Sequence, residues 1–103
     1  MVITLACSMG MSTSLLVNKL IEAGKVKGLD LKVQAVPFDK MDLYADETDI
    51  LLLGPQIRYL VSKFTVKYGS KIPVIAAMDM QDYALVRAEK ILEESLKMYH
   101  KNE

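Results

Sequence analysis

The chain has 103 residues, a length that predicts one domain over residues 1–103. Its 13 basic and 13 acidic residues cancel, so no field of one sign is available to attract nucleic acid or an anionic membrane. A single cysteine excludes an intramolecular disulfide, and no apolar run approaches the roughly 20 residues that span a bilayer. The apolar run at residues 2–6 is too short for a signal segment. We therefore expect a protein of the reducing cytoplasm.

The first third of the chain predicts a strand and then a helix. Residues 2–6, VITLA, form an apolar run that contains Thr4, as in a buried strand. Ser12 or Thr13 can cap a helix, and Gly24 and Gly28 are expected to end it. The apolar positions of this helix recur at helical spacing: Leu16, Val17, Leu20, Ile21 and Ala23.

The middle of the chain predicts a second and a third strand. Residues 31–36 alternate between apolar and polar side chains, which indicates a strand with one exposed side, and Pro37 ends it. Residues 39–47 have a mixed pattern that suits a short helix. Residues 50–53 are apolar on both faces, as in a central parallel strand, and Gly54 and Pro55 break the run.

The last part of the chain predicts a helix, a fourth strand and a final helix. The first of these helices ends at Gly69 and carries apolar residues at helical spacing: Ile57, Leu60, Val61, Phe64 and Tyr68. Residues 72–77 form the fourth strand, and Asp82 begins the last helix. No helix shows a second apolar face, so we expect a monomer.

This alternation predicts the fold class α/β: a single domain with a four-stranded parallel sheet covered by helices on both faces. If the two most apolar strands are central, the strand order is 2-1-3-4. Ligands of such sheets bind beyond the carboxyl ends of the strands, where the strand order reverses. That point lies between the first and third strands, so the segment after Cys7 and the segment after residue 53 are expected to form the site.

The segment CSMGMSTS, residues 7–14, connects the first strand to the first helix. Backbone N–H groups at a helix start have no intrahelical partner, and with the helix dipole they can bind a phosphate. Gly10 permits a tight turn, the hydroxyl residues add donors, and the same field favours thiolate over thiol at Cys7. A lone cysteine is more often a core residue, but this loop favours a nucleophile that carries a phosphoryl group.

Two other functions use a similar loop. A protein tyrosine phosphatase needs an arginine six positions after its cysteine, and here that position is Thr13, with no arginine before Arg58. The pattern therefore favours a phosphoryl carrier over a thiol phosphatase or an arsenate reductase. A regulatory module in which phosphorylated Cys7 only signals remains an alternative.

Two segments, CSMGMSTSLLVNKL and DILLLGPQIRYL, resemble the lactose/cellobiose (chitobiose) IIB components of the bacterial phosphotransferase system. The first is similar to that family's phosphorylation loop, Cys-Ser-x-Gly-Met-Ser-Thr-Ser, and the second to its third strand and turn. The likeness keeps a consistent spacing from Ile3 to about Val74. After the fourth strand the family often has Asp-x-x-x-Tyr-Gly followed by Asp-Gly, of which this chain keeps only Asp79 and Tyr83.

The resemblance implies a sugar phosphotransferase with a flavodoxin-like fold, related in shape to low-molecular-weight tyrosine phosphatases. Cys7 would accept a phosphoryl group from the phosphohistidine of a IIA protein. It would pass the group to a sugar such as cellobiose, chitobiose or lactose that enters through the membrane IIC permease. The implied phosphate-binding residues are Ser8, Met9, Gly10, Met11, Ser12, Thr13 and Ser14, flanked by Gly54, Pro55 and Gln56. No cofactor or metal is implied.

Some residues keep two interpretations. Tyr83 either contacts the phosphoryl group or packs its ring at a helix start. Asp79 and Asp82 are either general acids or, more commonly at such a position, caps of the last helix. A set of methionines forms either an apolar rim for partner proteins or part of the core: Met9, Met11, Met78 and Met80.

Overall fold

The computed structural model describes residues 1–8 and 14–101 of the chain. The strands in this part are β1 (Val2–Cys7), β2 (Lys32–Pro37), β3 (Ile50–Leu53) and β4 (Val74–Ala77). The α-helices are α1 (Ser14–Val26), α2 (Val61–Tyr68), α3 (Met80–Ala84) and α4 (Ala88–Lys101). Short 3-10 helices span Phe38–Leu43, Ala45–Glu47 and Pro55–Leu60.

The four strands form one parallel sheet in the order β2-β1-β3-β4, which confirms the predicted fold class and order. β1 pairs with β2 on one side and with β3 on the other, and β4 pairs with the far side of β3. Because all strands run the same way, their carboxyl ends lie along one edge of the sheet. This edge holds the ends of β1 and β3, where the site is expected.

The side chains of the central strands alternate between two apolar clusters, one on each face of the sheet. Ile3 and Leu5 of β1 lie with Ile50 and Leu52 of β3 in a cluster covered by α1 and α4. The intervening residues belong to the cluster under α2 and the 3-10 helices, among them Ala6, Leu51 and Leu53. Both central strands are therefore buried on both faces, as their mostly apolar runs predict.

Gly24 does not end α1, contrary to the prediction. It is buried inside the helix, and a Cβ there would lie 2.6 Å from Leu31 Cδ1, so the glycine allows close packing against the chain before β2. The helix ends at Val26, and Gly28 turns the chain just after it, in agreement with the prediction for Gly28. Gly28 adopts a φ of 78°, while the N–H of Leu29 donates to the carbonyl of Gly24 at 2.8 Å.

The predicted start of the last helix at Asp82 is wrong. Asp82 lies within the short helix α3, which is separated from α4 by a turn at Val86 with a φ of 52°. The N–H of Arg87 donates to the carbonyl of Asp82 at 2.8 Å, which closes α3 in the manner of a left-handed helix cap. Sequence spacing hides this break because the apolar residues of α3 and α4 continue one helical period across it.

Several other element boundaries differ from the prediction. Residues 39–47 form parts of two 3-10 helices rather than one short helix. The helix after Pro55 starts as a 3-10 helix and becomes α-helical only at Val61, because Ile57 has a non-helical φ of −117°. β2 and β4 begin at Lys32 and Val74, after the positions predicted for them.

The first 3-10 helix is joined to α2 by a polar contact. The Tyr68 hydroxyl donates to the Asp42 carboxylate, and Lys67 Nζ lies 3.1 Å from Asp42 Oδ1. These contacts hold the pKa of Asp42 below its usual 3.8, with the Tyr68 hydrogen bond as the larger cause. Burial raises the pKa of Tyr68 above its usual 10.0, and the hydrogen bond to Asp42 adds to that effect.

This contact predicts an acid-dependent part of the stability. A carboxylate with a lowered folded-state pKa stabilises the fold above its unfolded pKa of 3.8 and loses that contribution as the pH falls through the folded pKa. We expect Asp42→Asn to be less stable than wild type at neutral pH and the difference to vanish in acid. Urea unfolding across that pH range measures it. The difference should shrink in a Tyr68→Phe background, and an unchanged difference there would assign the effect to Lys67 instead.

Candidate functional site

Cys7 is the last residue of β1, at the carboxyl edge of the sheet between β2 and β3. Its side chain is buried, and the thiol donates a hydrogen bond to the Val36 carbonyl, with Sγ 3.8 Å from the oxygen. Because the first and third strands are neighbours here, this is the point where the strand order reverses. The predicted nucleophile thus lies at the position where open α/β sheets bind ligands.

The predicted phosphate-binding segment begins and ends at described residues. Ser8 follows Cys7 directly and is exposed, and Ser14 is the exposed first residue of α1. Met9, Gly10, Met11, Ser12 and Thr13 lie outside the described residues. Helix α1 packs on the sheet after β1, so its N-terminal end, the positive end of its dipole, faces the same edge as Cys7.

The segment after β3 lies directly beside the end of β1. The N–H of Gly54 donates to the Ala6 carbonyl at 2.9 Å, which places Gly54 next to Cys7 on the neighbouring strand. Pro55 is buried at the start of a 3-10 helix, and Gln56 is exposed. Residues 54–56 therefore flank the end of β1.

The two aspartates after β4 hold the structure of α3. The Asp79 carboxylate accepts hydrogen bonds from the N–H groups of Gln81 and Asp82 at 3.0 and 3.1 Å, so it caps α3 and not the last helix. The Asp82 side chain is only 2% exposed, and one of its oxygens lies 3.5 Å from both Arg87 Nη1 and Lys90 Nζ. These contacts favour structural roles for Asp79 and Asp82 over roles as general acids.

Tyr83 and the methionines divide between core and surface. Tyr83 is half-buried and packs against the apolar cluster under α1 and α4. This position agrees with the interpretation in which the Tyr83 ring packs at a helix start. Met78 belongs to the same cluster, whereas Met80 is 67% exposed on α3. Of Met78 and Met80, it is therefore Met80 that an approaching protein can contact.

Sequence reasoning missed two features near the site. One is the carbonyl of Val36, which accepts a hydrogen bond from the Cys7 thiol. Every residue type has a backbone carbonyl, so the sequence does not indicate which one acts as an acceptor. The other is the ion cluster of Asp82, Arg87 and Lys90, whose spacing resembles that of any solvated helix start. Only the fold of the chain after β4 brings this cluster together.

Other features of the described part of the chain do not converge on Cys7. A groove of about 550 Å³ lies between α1 and the start of α4 and is lined by charges of both signs, including Lys19, Glu22, Arg87 and Glu89. Within residues 1–8 and 14–101, no three His, Cys, Asp or Glu side chains are grouped so that they could hold a metal ion. No helix in this part is long and apolar enough to cross a membrane.

Comparison with known protein families decides the relationship of this chain. Residues 2–94 match the family model described as the phosphotransferase system lactose/cellobiose-specific IIB subunit. The chain belongs to this family. The resemblance noted in the loop after β1 and the turn after β3 is thus confirmed over nearly the whole chain.

Curated relatives agree with this membership of the IIB family. The chain is 36% identical over 96 residues to the galactose-specific EIIB component of Lactococcus lactis subsp. cremoris, a match that covers 88% of this chain and 89% of the relative. Identity and coverage are the same for the cellobiose-specific EIIB component of Lactococcus lactis subsp. lactis. The oligo-beta-mannoside-specific EIIB component of Bacillus subtilis is 34% identical, with 93% of both chains covered. These IIB relatives differ in the sugar they are named for.

Solved IIB structures share the fold of this chain. The lactose-specific IIB domain of Streptococcus pneumoniae superposes with a TM-score of 0.82 at 17% identity, over 96% of this chain and 97% of that one. The cellobiose-specific IIB protein of Borrelia burgdorferi superposes with a TM-score of 0.78 at 27% identity, over 99% of this chain and 94% of that one. The parallel sheet with Cys7 at its carboxyl edge therefore lies in a IIB fold.

Proposed function

We propose that Cys7 accepts a phosphoryl group from the phosphohistidine of a IIA protein and passes it to a sugar. The observation that carries this proposal is the position of the chain's one thiol, at the carboxyl end of β1 and ahead of the N-terminal end of α1. A phosphoryl group bound there would lie near the positive end of the helix dipole, which stabilises its negative charge. Membership of the IIB family supports the same role.

In the first step the Cys7 sulfur attacks the phosphorus of the phosphohistidine. A sulfur–phosphorus bond forms, the phosphorus–nitrogen bond breaks, and the proton of the thiol goes to the imidazole that leaves. The thiol therefore gives up its hydrogen bond to the Val36 carbonyl during this step. Backbone N–H groups and hydroxyls of residues 8–14 are proposed to stabilise the negative charge on the transferring group.

In the second step a sugar hydroxyl attacks the phosphocysteine. An oxygen–phosphorus bond forms and the sulfur–phosphorus bond breaks, which regenerates the thiol once the hydroxyl proton reaches the sulfur through solvent. The chain has no arginine before Arg58, so the loop lacks the fixed cation that a tyrosine phosphatase uses to transfer the group to water. Slow hydrolysis of the phosphocysteine suits a carrier that must keep the phosphoryl group until it meets a second partner.

The proposed partners follow from the two steps. A IIA protein supplies the phosphoryl group, and a membrane IIC permease presents the sugar. We propose a β-linked disaccharide such as cellobiose, chitobiose or lactose, because the family is described as lactose/cellobiose-specific and one relative is named for cellobiose. The chain would act as a monomer in the cytoplasm, where its thiol stays reduced.

The proposal is tested by intact-mass measurement of the chain after mixing with phosphohistidine-charged IIA proteins of this class, near neutral pH. We expect a gain of one phosphoryl group, about 80 Da, that disappears when the thiol is first alkylated. No gain with several IIA proteins, together with turnover of an aryl phosphate by the chain alone, would overturn the proposal in favour of a thiol phosphatase. Retention of the group when vesicles carrying IIC and sugar are added would favour the regulatory module.

A further inference from the structure

Gly54 has a backbone conformation that any residue can adopt, so its conformation does not explain the glycine. Its φ of −59° and ψ of 149° are ordinary extended values, and the following Pro55 favours them for every residue type. What the missing side chain leaves open is space. A Cβ on Gly54 would lie 3.0 Å from Oε1 of Gln56. The Gln56 carboxamide oxygen therefore lies close to Gly54, within the space that a side chain there would need.

That place lies beside the Cys7 side chain. In the pairing of β1 with β3, Ile3 and Leu5 stand opposite Ile50 and Leu52, and all four face the cluster under α1 and α4. The same alternation, continued two residues further, puts Cys7 opposite Gly54 with both side-chain directions on that face. Neighbouring strands are about 4.8 Å apart. The Cys7 side chain and the space beside Gly54 where the Gln56 oxygen lies are thus on neighbouring strands and on the same face of the sheet.

The backbone of Gly54 is held directly against β1. The point where the Gly54 Cβ would stand is 3.8 Å from the Ala6 carbonyl oxygen, and the same carbonyl accepts the Gly54 N–H at 2.9 Å. Gln56 itself is exposed, so its side chain is accessible from solvent. A carboxamide carries no charge but can donate to a phosphoryl oxygen.

We propose that the Gln56 carboxamide donates a hydrogen bond to the phosphoryl group carried by Cys7, and that Gly54 is a glycine because it leaves room for this carboxamide. The inference rests on the proposed phosphocysteine function. It assigns Gln56 to the phosphorylated site itself, rather than to a general contact with the loop or with a partner. Gly54 then acts as a positioning residue through Gln56.

The test is a ³¹P NMR pH titration of the isolated phosphorylated chain, which contains no partner protein. A donor to the phosphoryl group favours its doubly charged form, so Gln56→Ala should raise the titration midpoint by about one pH unit. Gln56→Glu should raise it further, because a carboxylate would repel that form. Gly54→Ala should give an intermediate rise, since the methyl group displaces the carboxamide, and should add nothing in a Gln56→Ala background.

Gln81→Glu is the matched control, because Gln81 is also exposed, on α3 after β4. It adds the same charge as Gln56→Glu and should shift the midpoint much less. Equal shifts for the two glutamate variants would show a general field effect and overturn the inference, as would Gln56→Ala and Gly54→Ala titrations identical to wild type. If the wild-type chain accepts no phosphoryl group, the proposed function fails first, so the two failures are distinguishable.

Discussion

Cys7→Ser is expected to abolish phosphoryl acceptance while leaving the fold intact. A serine hydroxyl stays protonated near neutral pH and is a weak nucleophile without an adjacent base, whereas a thiol at the N-terminal end of a helix is readily activated. The substitution is small, so the fold should persist, even though a serine hydroxyl is too far from the Val36 carbonyl, which lies 3.8 Å from the Cys7 sulfur, to keep that hydrogen bond. Intact-mass measurement after mixing with a phosphorylated IIA protein should show no added phosphoryl group. This should hold at incubation times at which the wild-type chain is fully phosphorylated.

Cys7→Ala is the companion variant, because it removes the polar atom as well as the nucleophile. Thermal unfolding followed by circular dichroism should show that both variants fold, so that the loss of acceptance is chemical. A phosphoryl group still present on Cys7→Ser would mean that another residue accepts it. His100, exposed near the end of α4, would then be examined through His100→Gln.

Removing both cations beside Asp82 is expected to destabilise the fold by about 2–3 kcal/mol. The Asp82 carboxylate is almost fully buried, so Arg87→Gln together with Lys90→Gln leaves a buried charge without a cationic partner. Such losses cost roughly 3–5 kcal/mol for a fully buried pair. Here both cations are about half exposed, which reduces the effect. Urea unfolding of the double variant measures the change.

The matched control for this experiment is Lys27→Gln. Lys27 Nζ lies 3.5 Å from Glu93 Oε1, the same separation as in the Asp82 pairs, but Glu93 is 54% exposed. An exposed pair contributes at most about 1 kcal/mol. Adding Asp82→Asn to the double variant should recover most of the lost stability, because it removes the unpaired charge. Equal effects for the control and the double variant would show that burial of Asp82 does not strengthen the interaction.

The main features of the fold are readable from short-range patterns. Apolar runs in β1 and β3 predict central strands because both faces of such strands must be covered. Once these strands are central, the order β2-β1-β3-β4 and the meeting of the β1 and β3 ends at one edge follow from the parallel arrangement. The position of Cys7 at this edge was predictable for the same reason.

Polar contacts between distant residues were not predictable in this way. Thr4 lies within an apolar run and is fully buried, yet its hydroxyl lies 2.8 Å from the Thr48 hydroxyl and accepts from Gln34 Nε2 at 3.0 Å. Thr48 in turn donates to the Tyr44 carbonyl at 2.7 Å, so the Thr4 hydroxyl supplies the proton between the two threonines. No spacing in the sequence indicates that these residues, 44 apart, satisfy each other.

The sequence by itself determined the order of strands and helices, the parallel sheet and the location of Cys7, because each depends on the local period of apolar residues. The tertiary structure decided which glycines end a helix and which allow close contact: Gly28 turns the chain, whereas Gly24 admits Leu31 and Gly54 admits the Gln56 carboxamide. It also decided that Asp82 is a buried ion and not a helix start. These outcomes depend on which side chains from distant segments fill the same space, and a local pattern contains no information about that.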